Sequence, residues 1–502
     1  MIRKSVILAM VVLASVSAEA AETVPWTAYF GDQTSAVSWS GFMRGVGLRS
    51  TGMSLAQEND DSLQVLDERL ENIAGRVEGV IAERDVVLPV GGLVSGRRQE
   101  HVDTFMRRIE RDGGKAWKEL VYRQTARIAR LPGARQRVYW QVGNEINSRH
   151  YSLSLHTWAG DELGEKRSSD GEQARPGPQR RRAFDGDRAA RGGMRPGGKR
   201  QRRSGGTRND DFIIGYYVEY FLAPTVEAIN RASKDVYGSP HKVNIVLGSL
   251  AGSRSTGARS WLDKLLDYRV KGTYAGSLAG RRVSELVDII AIHYLVSYPG
   301  DHWRTVLEDL RSRWVGRDRI SGVWSTEELG RRRAIRGLGA VTTTRVMFRY
   351  LDWALREGLG PKSARVNFWG GDIGGNATSG ESALGLIYQF TGNVPLTPWA
   401  RDAFPARDPG IEVYGFSTPD RKRHMVALFS SGDGGAGTLG EVPVNVAGLR
   451  EGMNATLQLF DSQGHSELPV RIRKDNQRWL LTPAQPVDLS SDVTAVFFLA
   501  ND

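Results

Sequence analysis

The sequence predicts an α/β chain, a (β/α)8 TIM barrel or a doubly wound parallel sheet, with a C-terminal all-β sandwich domain. Six short runs that are apolar nearly throughout recur between residues 86 and 372, as parallel strands do when helices cover both faces of their sheet. Amphipathic helical patterns lie between those runs, so the order is strand then helix, repeatedly. From about residue 400 the helical patterns give way to short alternating strands separated by turn residues, the pattern of a sandwich.

Taken in chain order, MIRKSVILAMVVLASVSAEA combines Arg3 and Lys4, an apolar run, and the small-x-small site Ala18-Glu19-Ala20. It reads as a signal peptide over residues 1–20, and a periplasmic or secreted location follows as an expectation. The run is too short for a membrane span, and no other stretch approaches ~18 uninterrupted apolar residues. The barrel is expected over 21–400. WTAYFG (26–31) and GFMRGVGL (41–48) are the best candidates for its first two strands, and LQVLDERLENIAGRVEGVI (63–81) reads as a helix. The better-marked strands are VVLPVGG (86–92), VYWQVGNE (138–145), VNIVLGSLA (243–251), VDIIAIHYL (287–295), ISGVWSTEE (320–328) and ARVNFWGGD (364–372). Between them, YYVEYFLAPTVEAINRAS (216–233) and TTTRVMFRYLDWALREG (342–358) are helical patterns; the second puts Val346, Met347, Tyr350, Leu351 and Leu355 on one face. The sandwich, 401–502, is expected to use IEVYGFST, HMVALFSS, VPVNVAGL, ATLQLFDS, PVRIRKD and TAVFFLA.

Charge is unevenly spread. Of the net charge of +11, nearly all comes from residues 166–208, which hold 14 Lys and Arg against 4 Asp and Glu. The surrounding segment 164–208 has too few large apolar residues to offset its ordering entropy, so disorder is expected. It interrupts the barrel after the fourth strand and admits three readings. It could bind an acidic polysaccharide over the barrel mouth. It could bind nucleic acid, which its lack of interleaved aromatics and the exported context disfavour. Or it is GC-rich DNA read out of frame between two compensating shifts, the preferred reading, in which case one wall of the cleft is missing. No nucleic-acid partner is expected.

Reactive side chains of a βα barrel project from the C-terminal ends of its strands, so polar residues that close apolar runs are the candidates. Glu145 closes one such run, and the doublet Glu327-Glu328 closes another. Two carboxylates facing each other across a barrel suit glycoside hydrolysis: one protonates the leaving oxygen while the other attacks the sugar carbon or activates water. Asn144 is placed to hold a sugar hydroxyl or to orient the partner carboxylate. His293 or Tyr294 could hydrogen-bond the nucleophilic carboxylate, and Trp369 offers a flat face for a pyranose ring.

WQVGNEIN resembles the fourth-strand Asn-Glu motif of clan A glycoside hydrolases, and VWSTEELG resembles their seventh-strand nucleophile motif; HYL and FWGG resemble the sixth and eighth strands. A barrel followed by a sandwich is similar to family 39 and its neighbours. The resemblance implies retention of configuration, Glu145 as general acid/base that must hold a proton near neutral pH, Glu327 as nucleophile, and Asn144, His293, Tyr294 and Trp369 as substrate-binding. The family pattern is Thr-Glu-x-Gly, whereas Thr326-Glu327-Glu328-Leu329-Gly330 has one residue more, so either glutamate could be the nucleophile. Strand alternation groups Ser325 with Glu327, and Glu328 with Trp324 and Thr326; Glu327 is preferred. The clan's second-strand arginine matches either Arg44 or Arg49.

Blander readings stand beside these. A lone Asn-Glu is commonly a helix cap, a buried histidine is commonly a satisfied core residue, a tryptophan can simply plug a barrel mouth, and Trp140 belongs to the core. The functional alternative is a non-catalytic carbohydrate-binding barrel protein of exopolysaccharide assembly or export. The partner in either case is a polysaccharide or oligosaccharide. No cofactor and no metal are expected: the chain lacks cysteine, HExxH, P-loop and EF-hand patterns. Sugar identity, linkage and oligomeric state are not encoded in recognisable motifs.

Overall fold

The computed structural model describes residues 24–33, 45–47, 53–54, 75, 77–81, 84–92, 98–147, 207–252, 256–296, 302–328, 339–369, 378–405, 410–431, 437–462, 464–490 and 492–501. The expected signal peptide, Arg44, Arg49 and most of the basic segment lie outside these residues. Thr207 and Arg208, the end of that segment, open a helix, which corrects the expected boundary: the helical pattern of TRNDDFIIGY already begins there.

The first sheet is wholly parallel. It is built from β1 (Phe30–Gln33), β2 (Gly45–Gly47), β3 (Met53–Ser54), β4 (Asp85–Gly92), β5 (Val138–Val142), β6 (Asn244–Leu247), β7 (Leu250–Ala251), β8 (Ile289–His293), β9 (Gly322–Glu328) and β10 (Ala364–Trp369). The order is β2-β1-β10-β9-β8-β6-β5-β4-β3, with β7 on β8 and β2 also paired to β4. A sheet whose end strand pairs on both sides curls back on itself, and a doubly wound open sheet does not do this. The seam is thin: β2 meets β4 over three residues, and on the far side β6 and β8 share one paired position, Val246 with Ile289, beside the Asp288 N–H donated to the Ile245 carbonyl at 2.8 Å. WTAYFG is not a strand throughout; Trp26–Tyr29 form a 3-10 turn, because the Trp26 indole is held by Thr391 and Gly392 at the foot of a helix and the chain extends only from Phe30. VNIVLGSLA is likewise broken at Gly248-Ser249.

Alternation sorts the strand residues into two cores. Val87, Tyr139, Val246, Ile289, Ala291 and Trp324 form a cluster made of sheet residues alone, which is the inside of the curl. Their neighbours Val86, Leu88, Val138, Trp140, Val142, Ile290, Ile292, Val323 and Val366 belong to the larger core under the helices. The interior floor is charged: Arg365 is 1% exposed, reaches Asp85 and lies over the Trp324 ring.

The surrounding helices are α1 (Arg98–Asp112), α2 (Lys115–Ala129), α3 (Thr207–Tyr216), α4 (Ala223–Tyr237), α5 (Trp261–Asp267), α6 (His302–Trp314), α7 (Gly339–Arg356) and α8 (Thr378–Thr391). A π-helical turn, Tyr217–Leu222, joins α3 to α4.

The C-terminal region is antiparallel, an eight-stranded sheet plus a two-stranded one. The eight-stranded sheet contains β11 (Ile411–Ser417), β12 (Arg423–Ser430), β13 (Asn454–Asp461), β14 (Gly464–Asp475), β15 (Arg478–Pro483) and β16 (Thr494–Ala500). Strand β14 pairs with β13 through its first half and with β15 through its second, so one strand turns the corner between two layers. Strands at Gly437–Leu439, Arg478–Pro483 and Val487–Leu489 are not among the six expected segments; the first and third, at three residues each, do not stand out from turns.

Met425, Ala427, Phe429, Val496 and Phe498 face the helices of the parallel sheet, while Val426, Leu428, Phe497 and Leu499 face the second core. Burial on both sides explains why HMVALFSS and TAVFFLA read as continuous apolar runs. It also explains α7. Its apolar stripe packs on the parallel sheet, and its other face, which periodicity assigns to solvent, is covered by the C-terminal region. There Arg345 donates to the Val493 carbonyl at 2.7 Å and to Thr494 Oγ1 at 3.1 Å, and Arg349 Nε donates to Glu412 Oε2 at 2.8 Å. Both guanidinium groups sit 5.2 Å from the Phe429 ring centre. Arg349→Ala removes the cationic partner of Glu412 in this interface and leaves it the Tyr414 hydroxyl, so a loss of about 3–5 kcal/mol is expected in denaturant unfolding. The double variant Arg349→Met, Glu412→Leu should recover most of it.

Candidate active site

The first carboxylate is aimed by a locked turn. Strand β5 ends at Val142, whose carbonyl accepts the Tyr217 hydroxyl at 2.7 Å, a contact supplied by the π-helical turn. Gly143 then adopts φ +93° and Glu145 φ +46°. A left-handed non-glycine residue is uncommon and persists where its surroundings over-determine it. Here the surroundings are the β6–β7 corner. The Ile146 N–H donates to the Ser249 carbonyl at 3.0 Å, the Ser249 hydroxyl donates to Asn144 Oδ1 at 3.0 Å, and the Ala251 N–H donates to Asn147 Oδ1 at 2.7 Å. Gln141 donates to the Gly143 carbonyl at 3.2 Å. Gly248 permits this approach, since a Cβ there would stand 2.4 Å from the Val142 carbonyl oxygen.

The second carboxylate is aimed by a bulge. On β8, Ile292 pairs with Ser325 and the next residue, His293, pairs with Glu327. On β10, Val366 pairs with Ser325 and Phe368 pairs with Glu328. Both neighbours thus step past one extra residue on β9, between Ser325 and Glu327. The expected alternation is broken by it. Glu327 joins the inward face with Trp324, while Glu328 falls on the outward face with Ser325, whose hydroxyl donates to Glu328 Oε1. The grouping of Ser325 with Glu327 is therefore corrected, and the extra residue of the Thr-Glu-Glu-Leu-Gly run coincides with the bulge.

The groups so placed meet. His293 is fully buried, and its Nδ1 lies 3.1 Å from Glu145 Oε1 and 2.9 Å from Glu327 Oε2. A carboxylate only accepts, so Nδ1 carries the hydrogen when either partner is ionised. Tyr294, at φ +52°, donates its hydroxyl to the other oxygen of Glu327. Glu145 and Glu327 are 6% and 1% exposed. Glu145, His293 and Glu327 each offer one donor atom, all within 4.8 Å of one another; these are the residues that could hold a metal ion. Asn144 is buried with Oδ1 engaged, and its Nδ2 has no hydrogen-bond partner among the described residues. Trp369 closes β10, and its side chain lies outside the described ones.

Sequence reasoning passed over Gln141, Ser249 and Asn367. Asn367 is fully buried on β10 with neither amide atom paired among the described residues, a setting that calls for ordered water. The signal was present: Tyr139 and Gln141, and Arg365 and Asn367, are polar-capable residues two apart in otherwise apolar strands, which marks the inward face of a cylinder.

No family model and no curated protein matches the chain. Solved structures that it resembles include a Paenibacillus polymyxa xyloglucanase of glycoside hydrolase family 44, at 9% identity, covering 96% of this chain and 97% of that one with a TM-score of 0.46. A family 51 α-L-arabinofuranosidase from Bifidobacterium longum matches at 11% identity over 96% and 97%, with a TM-score of 0.39. The Thermotoga maritima α-L-arabinofuranosidase matches at 9% identity over 97% and 90%, with a TM-score of 0.37. At such scores the reading of the site rests on its own geometry.

The Gly248 contact makes a direct test of how the first carboxylate is held. Gly248→Ala should destabilise the protein by roughly 1–3 kcal/mol, the usual cost of overpacking, read by urea unfolding.

Proposed function

We propose that the protein is a glycoside hydrolase that cleaves O-glycosidic bonds of a polysaccharide or oligosaccharide with retention, on an eight-stranded (β/α)8 barrel whose ring is β1, β2, β4, β5, β6, β8, β9 and β10. One observation carries the reading: carboxylates from β5 and β9, remote in sequence, share the imidazole of His293 and bring an oxygen of each within 4.8 Å of the other. Retaining enzymes hold their two carboxyl groups about 5–5.5 Å apart, and inverting ones about 6.5–9.5 Å to make room for water.

Glu327 is the nucleophile. Two donors, His293 Nδ1–H and the Tyr294 hydroxyl, occupy its two oxygens and favour its charged form. It attacks the anomeric carbon as the glycosidic C–O bond breaks, and Glu145 passes its proton to the departing oxygen. Glu145 then takes a proton from water, the resulting hydroxide attacks the same carbon, and Glu327 is released. Asn144 Nδ2 supplies a donor for a sugar hydroxyl. Trp369, at the end of β10, is the proposed stacking surface. Export through the N-terminal segment and kinship with family 39 and its neighbours belong to the same proposal.

Glu145→Ala and Glu327→Ala should each lower kcat/KM on aryl glycosides or polysaccharide by at least ~10³-fold, with Glu145→Ala milder on substrates whose leaving group needs no proton. The first-formed sugar should keep its anomeric configuration, as read by proton NMR. Binding of sugar without turnover in the wild type would instead favour a carbohydrate-binding protein. Chelation by EDTA should leave activity unchanged; loss with recovery on adding a divalent cation would reassign Glu145, His293 and Glu327 as metal ligands.

A further inference from the structure

Glu328 takes no part in the chemistry above, yet it is fully buried and one of its oxygens gathers three donors. Oε1 accepts the N–H of Leu295 at 2.8 Å, the N–H of Val296 at 2.7 Å and the Ser325 hydroxyl. The two amides directly follow Tyr294, which holds φ +52° and donates its own N–H to the Glu327 carbonyl at 2.6 Å. Successive N–H groups around a left-handed residue form a concavity suited to an anion. In this protein the anion comes from the adjoining strand, and the bulge on β9 is what turns it there.

We propose that Glu328 is a positioning residue: its carboxylate fills the concavity after β8, fixes Tyr294 in its left-handed conformation and thereby sets the Tyr294 hydroxyl against Glu327. This rests on the reading of Glu327 as nucleophile. Neighbouring glutamates then divide the work, one reacting and the other holding the loop that tunes it. A charge-assisted acceptor suits the task because the N–H groups of Leu295 and Val296 are buried with their residues and removing their partner leaves both unsatisfied. Among the described residues, the titratable groups facing Glu327 include His293, Tyr294 and, across His293, Glu145. Glu328 is faced by Tyr350 of α7, whose hydroxyl burial keeps protonated well beyond the ordinary tyrosine range.

The test uses the full chain and its Glu328→Ala, Glu328→Gln and Tyr294→Phe variants. Glu328→Ala should reduce kcat roughly 10- to 100-fold, as loss of a group that orients a reacting one does, with KM little changed. The acid limb of its pH–rate profile should move toward neutral, because Glu327 loses the Tyr294 hydrogen bond. Glu328→Gln, which keeps a neutral acceptor, should fall between. Tyr294→Phe should show the same acid-limb shift, and the double variant should be no worse than Glu328→Ala. An unmoved acid limb with additive losses would overturn the proposal. Amide exchange supplies an arm independent of turnover: the Leu295 and Val296 amides should lose protection in Glu328→Ala while the α7 amides keep theirs. Unchanged protection at 295 and 296 would refute the clasp, whereas loss of protection in a chain that hydrolyses no glycoside would uphold the clasp and count against the hydrolase reading.

Discussion

A single extra residue on β9 governs the site. Without the bulge between Ser325 and Glu327, strict alternation would place Glu327 outward and Glu328 inward, as the partners of Ser325 and Phe368 show. With it, Glu327 faces His293 and Glu328 faces the backbone after β8. Bulges commonly re-aim a side chain next to a reactive centre. Here one bulge re-aims two.

The other half of the site is aimed by tight turns. Glu145 and Tyr294 are both left-handed non-glycine residues at strand ends, each restrained by hydrogen bonds to a neighbouring strand end, Ser249 in one case and Glu327 with Glu328 in the other. The curled sheet thus does more than bring distant segments together. Its strand ends supply the partners that keep costly backbone conformations in place. The charged floor, Arg365 with Asp85 beneath Trp324, fills the lower interior, so the polar residues above it are held at the upper rim.

Much of this was legible in the chain. Glu145, His293 and Glu327 all close apolar runs, and the runs themselves are strands. The bulge was not, because periodicity assumes the very alternation that a bulge breaks; the inserted residue in Thr-Glu-Glu-Leu-Gly was visible as an anomaly without a direction. The buried arginines of α7 were hidden for a different reason: a helix between two layers looks amphipathic when one of its buried faces is charged and paired. Gln141 and Asn367 carried a usable period-two signal that strand-end reasoning did not consult.

The proposed chemistry requires the inward glutamate of β9 to form a bond to sugar. A 2-deoxy-2-fluoro glycoside with an activated leaving group slows release of the glycosyl-enzyme, and peptide mass mapping then locates the label. One glycosyl unit per chain is expected, attached to Glu327. Label on Glu328, or turnover of such substrates with no covalent adduct at any carboxylate, would contradict it.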